Sequence, residues 1–305
     1  MPPGPAVVTA GHGPSRDTVS ADRRLEATIA ERVGSTREAR WIVEHTGGDG
    51  ALALALADRR ASGEPLQYVL GRWPFRTLEL TVDPRVLIPR PETEQVVEVA
   101  LAELATLVAR RRPSRARPEP PDPVAVDLGT GSGAIALSLA AEGGAFAPGL
   151  EVWATDVSPA ALAVARDNLA ELAGCRPRAA GRVRMAEGRW FDALPPTLAG
   201  TVDLVVSNPP YVAEAEFPGL DPTVRGWEPR GALVAPDRDG VGGLADIGTV
   251  LVDSARWLRP DGVVVVEISP AQADAALGVA RRAGLVDART EEDLSGRVRM
   301  VVARR

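Results

Sequence analysis

The sequence predicts an α/β protein with a doubly wound, mostly parallel sheet and a small helical domain before it. Three observations predict this fold class. From residue 124 onward, short valine-rich runs alternate with helical patterns, as in parallel strands joined by helices. Residues 21–65 contain only helical patterns. A chain of 305 residues, 45% of them hydrophobic, is long enough for one large domain and a smaller companion.

The predicted helical domain spans residues 21–65. Its first helix repeats apolar residues at helical spacing, the second follows a cap at Ser35 or Thr36, and the third spans Ala51–Ala61. Three helices of about 40 residues bury little core by themselves, so we predict a recognition module docked on a larger domain. Residues 1–20 are rich in Pro, Gly, Ser and Thr and are predicted to be a disordered tail.

Residues 66–90 are predicted to form a β-hairpin connector between the two domains. The runs Gln67–Leu70, Thr77–Val82 and Val86–Ile88 are short and β-rich. Glycine and proline residues separate these runs, which is typical of turns between strands.

The second domain is predicted to span residues 91–305. A long helix begins at Pro91, which suits the first helical turn, and reaches about Arg110. The Pro/Arg-rich segment 111–123 is predicted to be a solvated loop. The elements predicted after it are strands Val124–Asp127, Glu151–Thr155, Arg182–Ala186, Val202–Ser207 and Val263–Ile268, helices Ala134–Glu142, Pro159–Leu172 and Gly242–Trp257, and a terminal hairpin of Leu285–Thr290 and Val298–Ala303.

The composition excludes several classes of chemistry. All 35 Lys+Arg residues are arginine, so neither a lysine Schiff base nor a Walker-type lysine is available. One cysteine and two histidines do not make a Cys/His zinc site, and no metal is predicted. The net charge of −6 argues against a dedicated duplex-binding protein. Without a signal peptide or a membrane-spanning run, the chain is predicted to be cytoplasmic.

A glycine-rich loop follows the first predicted strand of the sheet, where VAVDLGTGSGA runs from a buried strand into a helix. Glycine lets the backbone approach a ligand closely. The next strand ends in Asp156, whose carboxylate can accept both ribose hydroxyls of an adenosine ligand. The loop alone suits NAD as well as S-adenosylmethionine. Its predicted cofactor-binding residues are Gly129, Thr130, Gly131, Ser132 and Gly133.

The strand Val202–Ser207 ends in the tetrapeptide Asn208-Pro209-Pro210-Tyr211. Two prolines fix the backbone and carry no N–H, so the carbonyls of Asn208 and Pro209 become rigid acceptors beside the Asn208 side-chain oxygen. Such acceptors can hold the hydrogens of a planar NH2 group and turn its nitrogen towards an electrophilic carbon. Tyr211 can stack on that group. The tetrapeptide therefore predicts N-methylation of an amide or an aromatic amine.

Together these motifs resemble those of the protein-glutamine N-methyltransferases that modify peptide chain release factors. The resemblance implies the class I S-adenosylmethionine methyltransferase fold, which is Rossmann-like, with a mostly parallel seven-stranded sheet and a C-terminal antiparallel hairpin. It covers the chain from about Ala21 to the C-terminus. The further segments that match are Gly63–Gly71, Val86–Glu94, Trp190–Phe191, Glu228–Arg230 and Ser295–Arg299.

The resemblance also implies roles for individual residues. The loop 129–133 would hold the methionine part of S-adenosylmethionine, Asp156 its ribose, and Trp190 would lie near the adenine. Asn208–Tyr211 would hold the glutamine of a Gly-Gly-Gln motif in a class I release factor, and Asn208 is also a predicted cofactor-binding residue. The helical domain would grip that factor, with no direct contact to nucleic acid or membrane, and the chain is expected to be a monomer.

Two further residues, Arg90 and Glu92, are candidates for shaping the mouth of the active site, because in the resembling family they lie near the glycine loop.

Three other functions stay open at this point. Adenine and guanine N-methyltransferases of nucleic acids share the Asn-Pro-Pro-Tyr motif, although an acidic chain without a basic recognition domain does not favour them. A non-catalytic cofactor-binding module would not need an intact Asn208–Tyr211. A dehydrogenase would use the glycine loop for NAD.

Overall fold

The computed structural model describes residues 16–111 and 121–305, which divide into two compact units between Leu70 and Gly71. Residues 1–15 of the predicted tail and residues 112–120 of the predicted loop lie outside the described residues. The last residues of the predicted tail, 16–20, are wrongly assigned, because they form the start of the first helix.

The first unit is helical and has its own core. Ser35 caps the second helix by accepting a hydrogen bond from the Glu38 N–H at 3.2 Å, as predicted. Ile29, Ile42 and Leu56 are buried at the centre of the unit. The helices are α1 (Arg16–Val33), α2 (Thr36–His45), α3 (Gly50–Ala61) and α4 (Leu66–Leu70).

The prediction of a β-rich piece at Gln67–Leu70 is wrong. The segment is helix α4, and the Val69 N–H donates to the Pro65 carbonyl with helical spacing at 3.0 Å. Leu66 and Val69 join the core of the helical unit. Burial of these two side chains therefore overrides a local composition that favours strands.

The second unit starts with a two-stranded antiparallel hairpin of β1 (Arg72–Phe75) and β2 (Leu78–Thr81). The third predicted β-piece, Val86–Ile88, is not a strand. Its Ile88 N–H donates to the Glu228 carboxylate at 3.3 Å instead of to a neighbouring strand. Helix α5 (Pro91–Arg110) follows, with the bounds that the sequence predicts.

Strands and helices then alternate as predicted. The elements in chain order are β3 (Val124–Leu128), α6 (Ala134–Gly143), β4 (Glu151–Asp156), α7 (Pro159–Cys175), α8 (Pro177–Ala180), β5 (Val183–Glu187), β6 (Val202–Ser207), α9 (Pro222–Trp227), α10 (Ala245–Trp257), β7 (Leu258–Glu267), α11 (Ala273–Arg282), β8 (Val286–Glu292) and β9 (Val298–Arg304). Helices α8, α9 and α11 have no counterpart among the predicted elements.

The seven strands form one sheet in the order β5-β4-β3-β6-β7-β9-β8. The first five pair in parallel, and β9 is antiparallel to both β7 and β8. This confirms the predicted fold class. The direction of strand addition reverses between β3 and β6, and ligands of such sheets bind outside the carboxyl ends of the strands at that point.

Both faces of the sheet are covered. In β6, Leu204 and Val206 pack in the core that contains α5 and α6, whereas Val205 packs with α10 and α11. Strands buried on both sides appear in the sequence as continuous apolar runs, which is why the pattern of β6 was informative. Within residues 16–111 and 121–305, no helix has the length and apolar character of a bilayer span.

Candidate active site

A cavity of about 310 Å³ lies at the carboxyl ends of the central strands. It brings together residues that are far apart in the sequence but follow neighbouring strands. Its lining includes the loop after β3, Asp156 at the end of β4, Trp190 after β5 and Asn208 after β6. Apart from Gly133, which does not line the cavity, the sequence-predicted cofactor residues and the first residue of the Asn-Pro-Pro-Tyr motif therefore share one space.

The glycine loop has a backbone that other residues adopt only with strain. Gly129 and Gly131 have φ values of +73° and +56°, in the left-handed region. A Cβ at Gly129 would lie 3.3 Å from Cζ3 of Trp190. The N–H groups of Gly129 and Thr130 both donate to the Thr155 carbonyl at 2.9 Å, which holds the loop against the end of β4.

Asp156 lies between the loop and helix α7. Its Oδ2 accepts the Gly131 N–H at 2.9 Å and its Oδ1 accepts the Ser158 N–H at 2.8 Å. Burial raises the pKa of Asp156, and these N–H groups oppose that shift. Ser158 caps α7 through its own hydroxyl, so the Asp156 carboxylate keeps lone pairs for a ligand in the cavity.

A second carboxylate, Asp127, lies beneath the loop and was not among the predicted site residues. Its Oδ2 accepts the Thr130 hydroxyl at 2.6 Å and the Ala136 N–H at 3.0 Å. Its Oδ1 is buried and has no partner among the described residues. Burial raises the pKa of Asp127 to about 7. Asp127 thus joins the loop to the first turn of α6.

Trp190 covers the loop from the side of β5. Its backbone has a left-handed φ of 48°, and its carbonyl accepts the Thr155 hydroxyl at 3.2 Å. The next residue, Phe191, is buried and stacks on Trp257 at 5.5 Å between ring centroids. These contacts hold the turn, and the indole contributes a flat apolar wall to the cavity.

The four residues of the Asn-Pro-Pro-Tyr motif have different surroundings. Asn208 and Pro210 line the cavity, whereas Pro209 is buried. The Tyr211 hydroxyl donates to Oε1 of Glu267 at 3.3 Å, and the pKa of Tyr211 is raised mainly by burial and also by the Glu267 charge. Asn208 therefore offers polar groups to the cavity, whereas Tyr211, which was predicted to stack on the substrate, does not line it and anchors the motif.

Two residues that hold Asn208 in place were missed as site residues, and one of them, Thr93, itself lines the cavity. The Asn208 amide Nδ2 donates to Oγ1 of Thr93 at 3.1 Å, and the Thr93 hydroxyl donates to Oε2 of Glu267 at 2.7 Å. Glu267 is buried at the end of β7, and burial raises its pKa to about 7. The sequence signal that could have found Glu267 is a lone acid after four consecutive valines.

The residues predicted to shape the mouth do not line the cavity. Arg90 forms an ion pair at 2.5 Å with Glu228, whose side chain is 1% exposed. Glu92 is 3.7 Å from Arg299. The cavity wall instead contains Arg189 and Asp246, which pair at 2.8 Å.

Comparisons with known proteins identify the family of the chain. A family model described as "Methyltransferase small domain" matches residues 117–218. A release factor glutamine methyltransferase of Bifidobacterium longum is 39% identical over 264 residues, 85% of this chain and 83% of the relative. The protein of that name from Bordetella pertussis is 38% identical over 285 residues, 90% of this chain and 92% of the relative.

Solved structures share less with the chain. A methyltransferase from Pyrococcus furiosus is 18% identical and has a TM-score of 0.47, with 74% of this chain and 88% of that chain covered. A similarity at this level carries no information about the substrate.

Proposed function

Because the chain belongs to the release factor glutamine methyltransferase family, we propose that it methylates the side-chain amide nitrogen of a glutamine in class I peptide chain release factors, with S-adenosylmethionine as methyl donor. The glutamine is that of the Gly-Gly-Gln motif, so the reaction modulates translation termination. The observation that carries this proposal is the shared cavity, which the glycine loop and Asn208 line together.

The residues of the cavity fit S-adenosylmethionine. The left-handed glycines make a backbone cradle without side chains, and the volume lies at the lower end of the about 300–1,000 Å³ typical of ligand pockets. Loop residues 129–133 hold the methionine part, Asp156 accepts the ribose hydroxyls, and Trp190 packs beside the adenine. S-adenosylmethionine supplies an electrophilic methyl group on a positively charged sulfur.

Asn208 positions the nitrogen that is methylated. An amide nitrogen is a poor nucleophile because its lone pair is delocalised into the carbonyl. Since the Asn208 Nδ2 is engaged with Thr93, its Oδ1 is the side-chain atom that can accept a substrate N–H. The backbone carbonyls of Asn208 and Pro209 are the further acceptors. Catalysis then arises from position and electrostatics.

The cavity wall suits a reaction that needs no strong base. Among the described residues that line it, there is no histidine, cysteine or lysine. A methylated amide nitrogen that has used its lone pair is strongly acidic and loses a proton to water. The polar side chains of the site therefore have to orient the amide rather than to deprotonate it in advance.

The helical unit is the proposed grip on the release factor. It has its own core and exposes two large apolar side chains, Trp41 at 37% and Leu52 at 45%. An enzyme that modifies one glutamine in a large protein needs binding energy from contacts away from the reacting atoms. The unit can supply such contacts without altering the cavity residues.

A transfer assay tests the proposal. The purified full-length protein is mixed with methyl-labelled S-adenosylmethionine and a class I release factor, and label on the factor is expected. Replacing the glutamine of the Gly-Gly-Gln motif by alanine should abolish the label, and Asn208→Ala in the enzyme should lower kcat by about 100-fold or more. Label on RNA or DNA instead, or on the factor without its glutamine, would contradict the proposal.

A further inference from the structure

The hydroxyl of Thr93 links a buried carboxylate to the side chain that faces the substrate. It lies 2.7 Å from Oε2 of Glu267 and 3.1 Å from Nδ2 of Asn208. Thr93 is in the first turn of α5, Glu267 ends β7 and Asn208 follows β6. Three separate elements thus meet in one short hydrogen-bonded chain.

The numbers of donors and acceptors on these three side chains fix the direction of both hydrogen bonds. An ionised carboxylate only accepts, so the single hydroxyl proton of Thr93 must point to Glu267. The Thr93 oxygen can then only accept from Asn208, which requires the NH2 end of the amide. Consequently the Asn208 amide is held with Nδ2 towards Thr93 and Oδ1 away from it, and Asn208 lines the cavity.

The same carboxylate also holds the far end of the motif. Oε1 of Glu267 accepts the Tyr211 hydroxyl at 3.3 Å. The Tyr211 carbonyl in turn accepts the side-chain amide of Gln272 at 2.9 Å. Glu267 is therefore connected to the first and the last residue of the tetrapeptide, and its two oxygens are both used as acceptors.

We propose that Glu267 is a positioning residue that, acting through Thr93, keeps the oxygen of the Asn208 side-chain amide turned towards the substrate nitrogen. The inference rests on the proposed function, in which Asn208 Oδ1 accepts a hydrogen bond from the glutamine amide.

Protonation of Glu267 at Oε2 reverses the direction of these hydrogen bonds. When the proton is on Oε2, the carboxyl donates to the Thr93 oxygen, and the Thr93 proton then points to Asn208. The Asn208 side chain can accept this proton only through its amide oxygen, so the amide must first rotate by half a turn. Its NH2 group then faces the NH2 group of the substrate, and two donors cannot form a hydrogen bond with each other. The ionised form of Glu267 is therefore the active form, and burial raises its pKa to about 7.

The charged and titratable groups around Glu267 set this pH range. Burial is the main cause of the raised pKa and the negative charge of Glu92 adds to it, whereas Arg299 opposes it together with the Thr93 and Tyr211 hydrogen bonds. Arg299 itself pairs with Asp293 at 3.0 Å. The groups that face Glu267 or its partner Tyr211 are Glu92 and Thr93 of α5, Tyr211 after β6, Arg299 of β9 and Arg90.

A matched pair of variants at Thr93 tests the inference. Thr93→Val keeps the shape and removes the hydroxyl, so kcat should fall about 10- to 100-fold with little change in KM or in the Kd of S-adenosylmethionine. Thr93→Ser restores the hydroxyl and should recover most of kcat. A Thr93→Val enzyme that is folded and as fast as Thr93→Ser would overturn the proposal.

The pH dependence gives the second test. The wild-type kcat should fall as the pH decreases through about 7, because the ionised form is lost. In Glu267→Gln the side-chain carbonyl can still accept from Thr93 and has no proton to gain, so this acidic limb should disappear. An unchanged acidic limb in Glu267→Gln would contradict the inference.

A spectroscopic measurement separates this inference from the proposed function. The side-chain NH2 signals of Asn208, identified by their absence in Asn208→Asp, should shift with pH around 7 in the wild type and not in Glu267→Gln. This result does not depend on any substrate. If the wild type methylates no release factor but the shift is present, the proposed function fails and the positioning network stands; if the shift is absent, the network fails.

Discussion

The carboxylate of Asp156 accepts a hydrogen bond from the Gly131 N–H at 2.9 Å and thereby ties the end of β4 to the middle of the glycine loop. The residue proposed to bind the ribose also shapes the loop proposed to hold the methionine part. A change at Asp156 therefore affects both ends of the cofactor site.

Asp156→Ala is expected to weaken S-adenosylmethionine binding by about 10- to 100-fold, since hydrogen bonds to a charged group contribute about 1.5–3 kcal/mol. Asp156→Asn keeps one oxygen that can accept the Gly131 N–H and should lose less. Isothermal titration of S-adenosylmethionine or its demethylated product measures both. Equal affinity in wild type and Asp156→Ala would remove Asp156 from the binding site.

Gly129→Ala adds a single methyl group to the glycine loop and is expected to disturb the cavity. The φ of +73° is strained for alanine by about 1–2 kcal/mol, and the new Cβ would lie 3.3 Å from the Trp190 ring. Both the free energy of unfolding and the cofactor affinity should decrease. The matched control is Gly174→Ala in α7, where nothing lies within 4 Å; it should leave binding unchanged and stabilise slightly in urea unfolding.

Asp127→Asn is expected to change how stability depends on pH. The pKa of Asp127 is raised by burial to about 7, whereas an unfolded aspartate has a pKa of about 3.9. Folding therefore takes up a proton between these values, and the wild type loses stability as the pH rises from about 4 to about 7. Asparagine exchanges no proton, so its stability relative to the wild type should increase across this range and level off above it.

Urea unfolding at several pH values measures this difference. Asp293→Asn is the control, because the pKa of Asp293 is shifted in the opposite direction. The Ser295 hydroxyl, the Arg297 N–H and Arg299 lower it. Its difference from the wild type should stay constant between about pH 5 and pH 8. A constant difference for Asp127→Asn as well would show that Asp127 titrates normally in the folded protein.

Removing Arg90 and removing Glu228 are expected to lower the free energy of unfolding by different amounts. Glu228 is nearly fully buried and Arg90 is partly exposed. Arg90→Met leaves a buried carboxylate without its cation and should cost about 3–5 kcal/mol, whereas Glu228→Gln leaves an arginine that water can reach and should cost less. Denaturation of both single variants and the double variant measures this order, and the double variant should be more stable than Arg90→Met. The reverse order would contradict the burial argument.

The sheet could be predicted because its strands are buried on both sides. Val205 packs on one face of β6 and Val206 on the other, so the tertiary environment is already recorded in the local sequence. The glycine loop and Asn208 were recognisable for a similar reason, since each directly follows such a strand. At Gln67–Leu70, by contrast, local composition favoured a strand and packing in the helical unit produced a helix.

The interactions behind the site could not be predicted in the same way. Thr93 and Glu267 are 174 residues apart, and their hydrogen bond exists only because α5 packs beside β7. Arg90 showed the same limit, since its partner Glu228 lies 138 residues away. No periodic pattern carries information about contacts between single polar side chains.

By itself, the sequence determined the class of fold, the position of the glycine loop and the Asn-Pro-Pro-Tyr motif, because hydrophobic periodicity and backbone-restricting residues act locally. Only the tertiary structure decided which atom of Asn208 is free for a ligand. That choice depends on the Thr93 hydroxyl and the Glu267 carboxylate, and a hydrogen-bond direction is established only when donors and acceptors from distant segments are packed together.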